Sequence, residues 1–224
     1  MMMTSPPSPQ TRLLLCLDFD LTLTMTHLFQ STVRAIQGGY SREAALLFTL
    51  NQLKRQGPRG GERLWEVLFE WLEAGHGLAI TSFTSFPELP SALLSWGVPR
   101  LRALGATRDQ TRWLSRALIV FGDPAPQFNP ARLQPNMILI PAEKISSTQS
   151  TQPSTSSVGK NLHLNAAKEF FEGRGDHFDQ VVLVDDDPNN IQAAQEGGYL
   201  AILASREHED LSHLTAIMKL LHSK

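Results

Sequence analysis

The chain has little of the features that mark several common classes of protein. It has one cysteine, Cys16, in 224 residues, which excludes an intrachain disulfide framework and favours a reducing compartment or an inert core thiol. No apolar run approaches the roughly 20 residues of a membrane-spanning helix, and the N-terminus lacks the pattern of a secretion signal. We therefore expect a cytoplasmic protein without a membrane segment, and export by a route without a signal peptide stays open.

The chain also lacks a strong excess of charge of either sign. Its formal net charge is −2 at pH 7, which gives no electrostatic reason to expect nucleic acid or an anionic membrane as a partner. With 42% hydrophobic residues, the chain is long enough to bury the core of one domain.

Short apolar runs recur along the chain, and segments with helical periodicity lie between several of them. Strands and helices that alternate in this way predict an α/β fold, a Rossmann-like three-layer open parallel sheet with helices on both faces. In such sheets ligands bind at the carboxyl ends of the strands. The predicted strands are Leu13–Leu17, Leu78–Thr81, Leu118–Phe121, Met137–Ile140, Val181–Val184 and Leu200–Leu203.

Three segments do not belong to this alternation. We interpret residues 1–11 as a disordered lead-in to a single domain over 12–224. Residues 26–60 contain helical stretches but no clear strand, and they predict a small helical cap insertion. Residues 146–157 hold only Ser, Thr, Gln and one Pro, a composition that is typical of a mobile loop.

Carboxylates follow two of the predicted strands directly. The first strand is followed by Asp18 and Asp20, and the fifth by Asp185, Asp186 and Asp187. A buried carboxylate without a partner is costly, and several in one small site repel each other. If the two strands adjoin, the carboxylates converge on one point and offer the hard oxygen ligands that Mg²⁺ prefers.

Four segments, in order, resemble the motifs of the haloacid dehalogenase-like (HAD) superfamily, which consists mostly of phosphatases and phosphotransferases. The stretch "LDFDLTLT" resembles its D-x-D-x-T signature. The stretch "GLAITSFTS" resembles the second motif; Ser82 is the better match, and Thr81 lies one residue before the motif position. The stretch "GKNLHLNAAKEFF" resembles the third motif, which selects Lys160. The stretch "VVLVDDDPNNIQAA" resembles the fourth motif, with Asp185 and Asp186 as the acidic pair.

The resemblance implies a Mg²⁺-dependent phosphatase that hydrolyses a phosphomonoester through an aspartyl-phosphate. Asp18 would be the nucleophile, and Asp20 would protonate the leaving oxygen and then activate water. Ser82 and Lys160 would hold the phosphoryl oxygens. The metal would be bound by Asp18, by the backbone carbonyl of Asp20 and by Asp185.

Supporting roles for Thr22, Asp186 and Asn190 follow from the same motifs. Thr22 is expected to order the loop by a hydroxyl-to-backbone bond, and Asn190 either to position Asp186 or to solvate the first turn of the following helix. Asp187 precedes Pro188, a pair that is typical of a helix N-cap followed by the first helical residue, so we interpret Asp187 as a cap.

Several alternatives stay open. Lys144 competes with Lys160 as the phosphate-binding lysine, whereas Lys168 reads as a surface charge on a helix. The acceptor could be a sugar instead of water, as in a phosphomutase or phosphotransferase, or the chain could be a binding protein without turnover. A short cap would leave an open site, so the substrate could be a phosphorylated protein or a small metabolite. A response-regulator receiver domain is rejected because its acidic pair precedes its phosphorylated Asp, the reverse of the order here.

Overall fold

The computed structural model describes residues 11–108, 114, 117–122, 136–141 and 159–223. The strands of this part are β1 (Leu13–Leu17), β2 (Gly77–Ser82), β3 (Leu118–Gly122), β4 (Met137–Ile140), β5 (Gln180–Asp185) and β6 (Leu200–Leu203). Its helices are α1 (Leu28–Gln37), α2 (Arg42–Gln56), α3 (Glu62–Glu73), α4 (Glu88–Ala103), α5 (Asn161–Glu172), α6 (Pro188–Glu196) and α7 (Ser212–His222).

The six strands form one sheet in the order β4-β3-β2-β1-β5-β6, and every neighbouring pair is parallel. The sheet order places β1 in the interior between β2 and β5, with Leu17 paired to Ile80 on one side and to Val184 on the other. The predicted α/β class and the predicted adjacency of the first and fifth strands are confirmed.

The core lies on both faces of the sheet, as the near-continuous apolar sequence of β1 requires. Leu13, Leu15 and Leu17 point into a core that also includes residues of α3, α4 and α7. Leu14 and Cys16 point into a second core that includes residues of α5 and α6. Helices therefore cover both faces, which gives the three layers, and only the strand ends are left to build a polar site.

Local signals in the sequence set the starts of two helices. The Ser41 hydroxyl accepts a hydrogen bond from the backbone N–H of Ala44 at the start of α2. Asp187 is the N-cap of α6, its carboxylate accepts from the N–H of Asn189, and Pro188 is the first helical residue. The interpretation of Asp187 as a cap agrees with this geometry.

The predicted cap insertion contains α1 and α2, which pack on each other. The buried hydroxyls of Thr32 and Thr49 lie 2.9 Å apart between them. Whether these helices act as a cap over substrate stays a prediction. Residues 1–10 of the predicted lead-in, the loop 146–157 and Lys144 lie outside the described residues. None of the helices in the described ranges is both long enough and apolar enough to cross a membrane.

Candidate active site

The first and fourth motifs meet at the carboxyl edge of the sheet. The N–H of Asp18 donates to the carbonyl of Val184 at 2.8 Å, so the residue after β1 is tied to the end of β5. Asp185 is the last residue of β5, and its carboxylate is almost fully buried. Carboxylate oxygens of Asp18, Asp185 and Asp186 lie within 4.8 Å of one another. The parallel register therefore brings together side chains that lie about 170 positions apart in the sequence.

Lys160 lies between the two carboxylate clusters. Its side chain is 1% exposed, and its Nζ contacts Oδ1 of Asp18 and lies 3.0 Å from Oδ2 of Asp185. A third bond runs from Nζ to the backbone carbonyl of Thr81 at 2.8 Å. Lys168, in contrast, lies on the outside of α5 and pairs with Glu172 at 3.8 Å. The structure thus places Lys160 in the site and Lys168 on the surface.

Burial and charge act in opposite directions on this pair. Burial raises the pKa of Asp18 to about 7, although the Lys160 ammonium opposes the shift. Burial alone would lower the pKa of Lys160, but the carboxylates of Asp18 and Asp185 outweigh it, and the pKa is raised. The lysine therefore stays charged, and Asp18 would benefit from a further positive charge nearby.

Asp20 lies in different surroundings, at the N-terminus of α1. Its carboxylate accepts the backbone N–H of Leu28 at 2.7 Å and a longer bond from the N–H of Phe29 at 3.3 Å. His27 Nδ1 lies 3.3 Å from Asp20 Oδ2, and this interaction raises the pKa of His27. The two aspartates of the first motif are thus held by different partners, Asp18 by a lysine and Asp20 by a helix terminus.

The turn after Asp20 is strained and firmly held. Leu21 has φ of 63°, a left-handed conformation that costs a non-glycine residue roughly 1–2 kcal/mol. Its N–H donates to Thr24 Oγ1 at 3.2 Å, and its carbonyl accepts from Arg59 Nη1 at 2.8 Å. The predicted bond from Thr22 is not found, because the Thr22 hydroxyl is buried without a partner among the described residues. The hydroxyl that orders the loop belongs to Thr24.

Each acidic residue of the fourth motif has its own polar partner. Asn190 Nδ2 lies 3.1 Å from both carboxylate oxygens of Asp185, and the N–H of Asp187 donates to Asp185 Oδ1 at 2.8 Å. The expectation that Asn190 positions Asp186 is therefore wrong, since it holds Asp185. Asp186 Oδ2 accepts instead from Arg206 Nε at 2.8 Å, in the loop after β6.

These side chains line one cavity of about 460 Å³. Of the residues predicted for the site, all but Thr22 contribute to its wall, namely Asp18, Asp20, Ser82, Lys160, Asp185, Asp186 and Asn190. Ser82 is the last residue of β2, and its Oγ accepts from the N–H of Thr84 at 3.3 Å. The preference for Ser82 over Thr81 agrees with this placement, since Thr81 contributes its carbonyl to Lys160.

The cavity wall also includes residues that the sequence analysis did not assign to the site. His27 and Phe29 reach the cavity from the start of α1, and Arg206 reaches it from the loop after β6. A histidine and an arginine outside any recognised motif carry no local signal of function. His163 is fully buried, and its ring packs edge-on against that of Phe83, with the ring centroids 4.7 Å apart.

The donor set at the cavity floor fits a divalent cation. Asp18, Asp185 and Asp186 offer hard oxygen ligands within reach of one ion, the kind of ligand that Mg²⁺ takes. With Asp20 they amount to four carboxylates, whereas Lys160 and Arg206 are the permanent cations in contact with them among the described residues. Two further positive charges are needed to neutralise the four carboxylates. Asp186, predicted as a supporting residue, lies in this group, and the Asp20 side chain faces α1 instead.

The fold and the site together define an α/β protein with a buried lysine and four carboxylates at the carboxyl edge of a parallel sheet. No protein-family model matches the chain, and a search of curated proteins gives no match. Among solved structures, the chain is similar to "a predicted HAD-like family hydrolase from Porphyromonas gingivalis", at 13% identity and a TM-score of 0.32, over 96% of this chain and 100% of that one.

Proposed function

We propose that the protein is a Mg²⁺-dependent phosphatase that hydrolyses a phosphomonoester through an aspartyl-phosphate on Asp18. One observation carries the proposal: the ends of β1 and β5 place Asp18 and Asp185 in contact with the buried Lys160, in the wall of a cavity. A carboxylate in this position is a competent nucleophile, since Asp18 Oδ2 accepts no hydrogen bond from the described residues.

In the first step an oxygen of Asp18 attacks phosphorus, and the bond from phosphorus to the ester oxygen breaks. Asp20 gives its proton to the departing oxygen, which leaves as an alcohol. The backbone N–H groups of Leu28 and Phe29 fix the Asp20 carboxyl beside the substrate. Lys160 and Ser82 offer donors to the phosphoryl oxygens as negative charge builds up on them.

In the second step Asp20, now a carboxylate, takes a proton from water, and this water attacks phosphorus. The bond between Asp18 and phosphorus breaks, and inorganic phosphate is released. Asp18, Asp185 and Asp186 would hold Mg²⁺, which when bound offsets the charge of the carboxylates and of the substrate. Asn190 and Arg206 keep Asp185 and Asp186 in place for this.

The proposal is tested by assaying the purified protein on 4-nitrophenyl phosphate, with release of both the phenol and inorganic phosphate measured. We expect hydrolysis with Mg²⁺, loss of activity in EDTA and recovery when excess Mg²⁺ is added back. Equal amounts of phenol and inorganic phosphate would identify water as the acceptor, and a phosphate deficit would favour phosphoryl transfer. Undiminished activity in EDTA would contradict the proposed mechanism. A panel of phosphotyrosine peptides, sugar phosphates and nucleotides would then narrow the substrate class.

A further inference from the structure

Arg206 lies at the mouth of the cavity, and part of its guanidinium makes no hydrogen bond to the described residues. Its Nε donates to Asp186 Oδ2 at 2.8 Å, and the side chain is 63% exposed. Neither Nη atom donates a hydrogen bond to any residue that the structure describes. The side chain is thus anchored at Nε, and its terminal N–H groups are available at the cavity wall.

The backbone that carries Arg206 is fixed by a second arginine. Arg59 is 1% exposed, and its guanidinium donates to the carbonyls of Ser205 and Glu207, the two residues that flank Arg206. It also donates to the carbonyl of Asp210 at 2.9 Å and to that of Leu21 at 2.8 Å. One buried side chain therefore ties the loop of Arg206 to the turn that follows Asp20.

The two cations of the site lie at different depths. Lys160 is buried at the floor, where its ammonium is bonded to Asp18, Asp185 and the carbonyl of Thr81. Arg206 is solvent-exposed at the mouth. Because Lys160 already faces Asp18, the exposed N–H groups of Arg206 are left to bind a further anionic group of the same substrate. A guanidinium binds carboxylate or phosphate oxygens with two parallel N–H bonds, which suits this role.

We propose, on the basis of the phosphatase function above, that Arg206 binds a second anionic group of the substrate. The substrate class is a small phosphomonoester whose other end carries a carboxylate or a further phosphate. The cavity volume of about 460 Å³ supports a small molecule, since it lies in the range of roughly 300–1,000 Å³ that such ligands occupy.

The test compares alkyl phosphates of two to five carbons whose far end is neutral, carboxylated or phosphorylated. In the parent protein we expect kcat/KM to be about tenfold or more higher for an anionic end than for a neutral end, the size of one charge-assisted hydrogen bond. Arg206→Gln is expected to abolish this preference. Arg34→Gln, which removes the same charge from an exposed position on α1 outside the cavity wall, should preserve it. Comparison of the carboxylated and phosphorylated ends identifies which anion is preferred.

Binding of the same esters to the Asp18→Asn variant tests the anion subsite independently of catalysis. By calorimetry, the anionic esters should bind Asp18→Asn more tightly than the neutral ester, and adding Arg206→Gln should remove the difference. Selective binding without turnover in the parent would support the anion subsite and overturn the phosphatase. Turnover without any preference for an anionic end would leave the phosphatase standing and overturn the subsite. A preference that survives Arg206→Gln would also overturn it.

Discussion

The two aspartates of the first motif differ in their immediate partners, and this difference separates their proposed roles. Asp18 contacts the Lys160 ammonium and leaves Oδ2 without a partner among the described residues. Asp20 accepts two backbone N–H groups at the start of α1 and lies beside His27. Substitution by Asn nearly preserves the volume of either side chain, so the chemistry can be removed at each position with little change in packing.

Asp18→Asn is expected to inactivate the protein toward every phosphomonoester, because no aspartyl-phosphate can form. Asp20→Asn should lower kcat/KM for alkyl phosphates about 10²–10⁴-fold, the usual contribution of general acid–base catalysis. The decrease in kcat/KM should be smaller for aryl phosphates, whose leaving group needs little protonation. The measurement is the ratio of aryl to alkyl kcat/KM for each variant, with circular dichroism as a check of folding.

Two results would contradict these assignments. Turnover by Asp18→Asn, together with complete loss in Asp20→Asn on both substrate types, would reverse the roles. Parent-like activity in both variants would make the pair a structural feature and favour the binding-protein alternative.

Two adjacent asparagines provide a matched test of the cation site. Asn190 bonds both oxygens of Asp185, whereas Asn189 bonds the capping Asp187 on the exposed side. Residues that orient metal ligands typically contribute about 10–100-fold to affinity. Asn190→Ala should therefore raise the Mg²⁺ concentration needed for half-maximal activity by about that factor, and Asn189→Ala should change it little. Equal effects of the two substitutions would argue against Asp185 as a ligand.

At the scale of elements, the contact between α3 and α4 depends on one glycine. A Cβ at Gly97 would lie 2.3 to 2.9 Å from ring carbons of Trp65, closer than side chains pack. The helix α4 contains Pro99, which lacks a backbone N–H and disfavours a helix interior. Burial of Leu93 and Leu101 in the core stabilises the helix in spite of this proline.

Gly97→Ala has two opposing effects on stability. Helix propensity alone would stabilise the variant by about 1 kcal/mol, but overpacking of a close contact costs about 1–3 kcal/mol. Because the obstacle is a rigid indole ring, we expect net destabilisation, measured by urea denaturation. In a Trp65→Leu background the same substitution should cost less, and an unchanged cost would exclude the ring as the cause.

At the scale of the whole molecule, buried histidines make stability depend on pH, and two of them have strongly lowered pKa values. Burial lowers the pKa of His163 to about 3 and that of His213 to about 4. An unfolded histidine has a pKa of about 6.5, so below this pH the unfolded chain binds protons that the folded chain does not. These residues therefore lower the free energy of unfolding as the pH falls from about 7 toward 4. The raised pKa of Asp18 acts in the opposite direction over the same range.

The contribution of His163 is isolated by a substitution. For an unfolded pKa of 6.5 and a folded pKa of about 3, the linkage relation predicts a loss of about 2 kcal/mol between pH 7 and pH 5. His163→Leu should remove this loss, so the difference in stability between variant and parent changes by about that amount across the range. Urea denaturation in EDTA at both pH values measures it, and parallel pH profiles would refute the prediction.

Much of the architecture follows from the sequence alone. Apolar runs without helical gaps determine strands that must be buried on both faces, and the alternation with helices then requires a parallel sheet. The strand β1 begins and ends at Leu13 and Leu17, as predicted from such a run. The resemblance to the superfamily motifs selected Ser82, Lys160 and Asp185, and each of them lies at the end of a strand or the start of a helix.

Other features were decided only by the tertiary structure. The partner of Asp186 is Arg206, and that of Asn190 is Asp185, which depends on how the loops after β5 and β6 meet. Arg59 holds carbonyls from segments that lie 38 and about 150 residues away, without any local pattern that marks it. Backbone periodicity reports which face of an element is buried, but the direction of a polar side chain depends on donors and acceptors that only the folded chain brings within hydrogen-bonding distance.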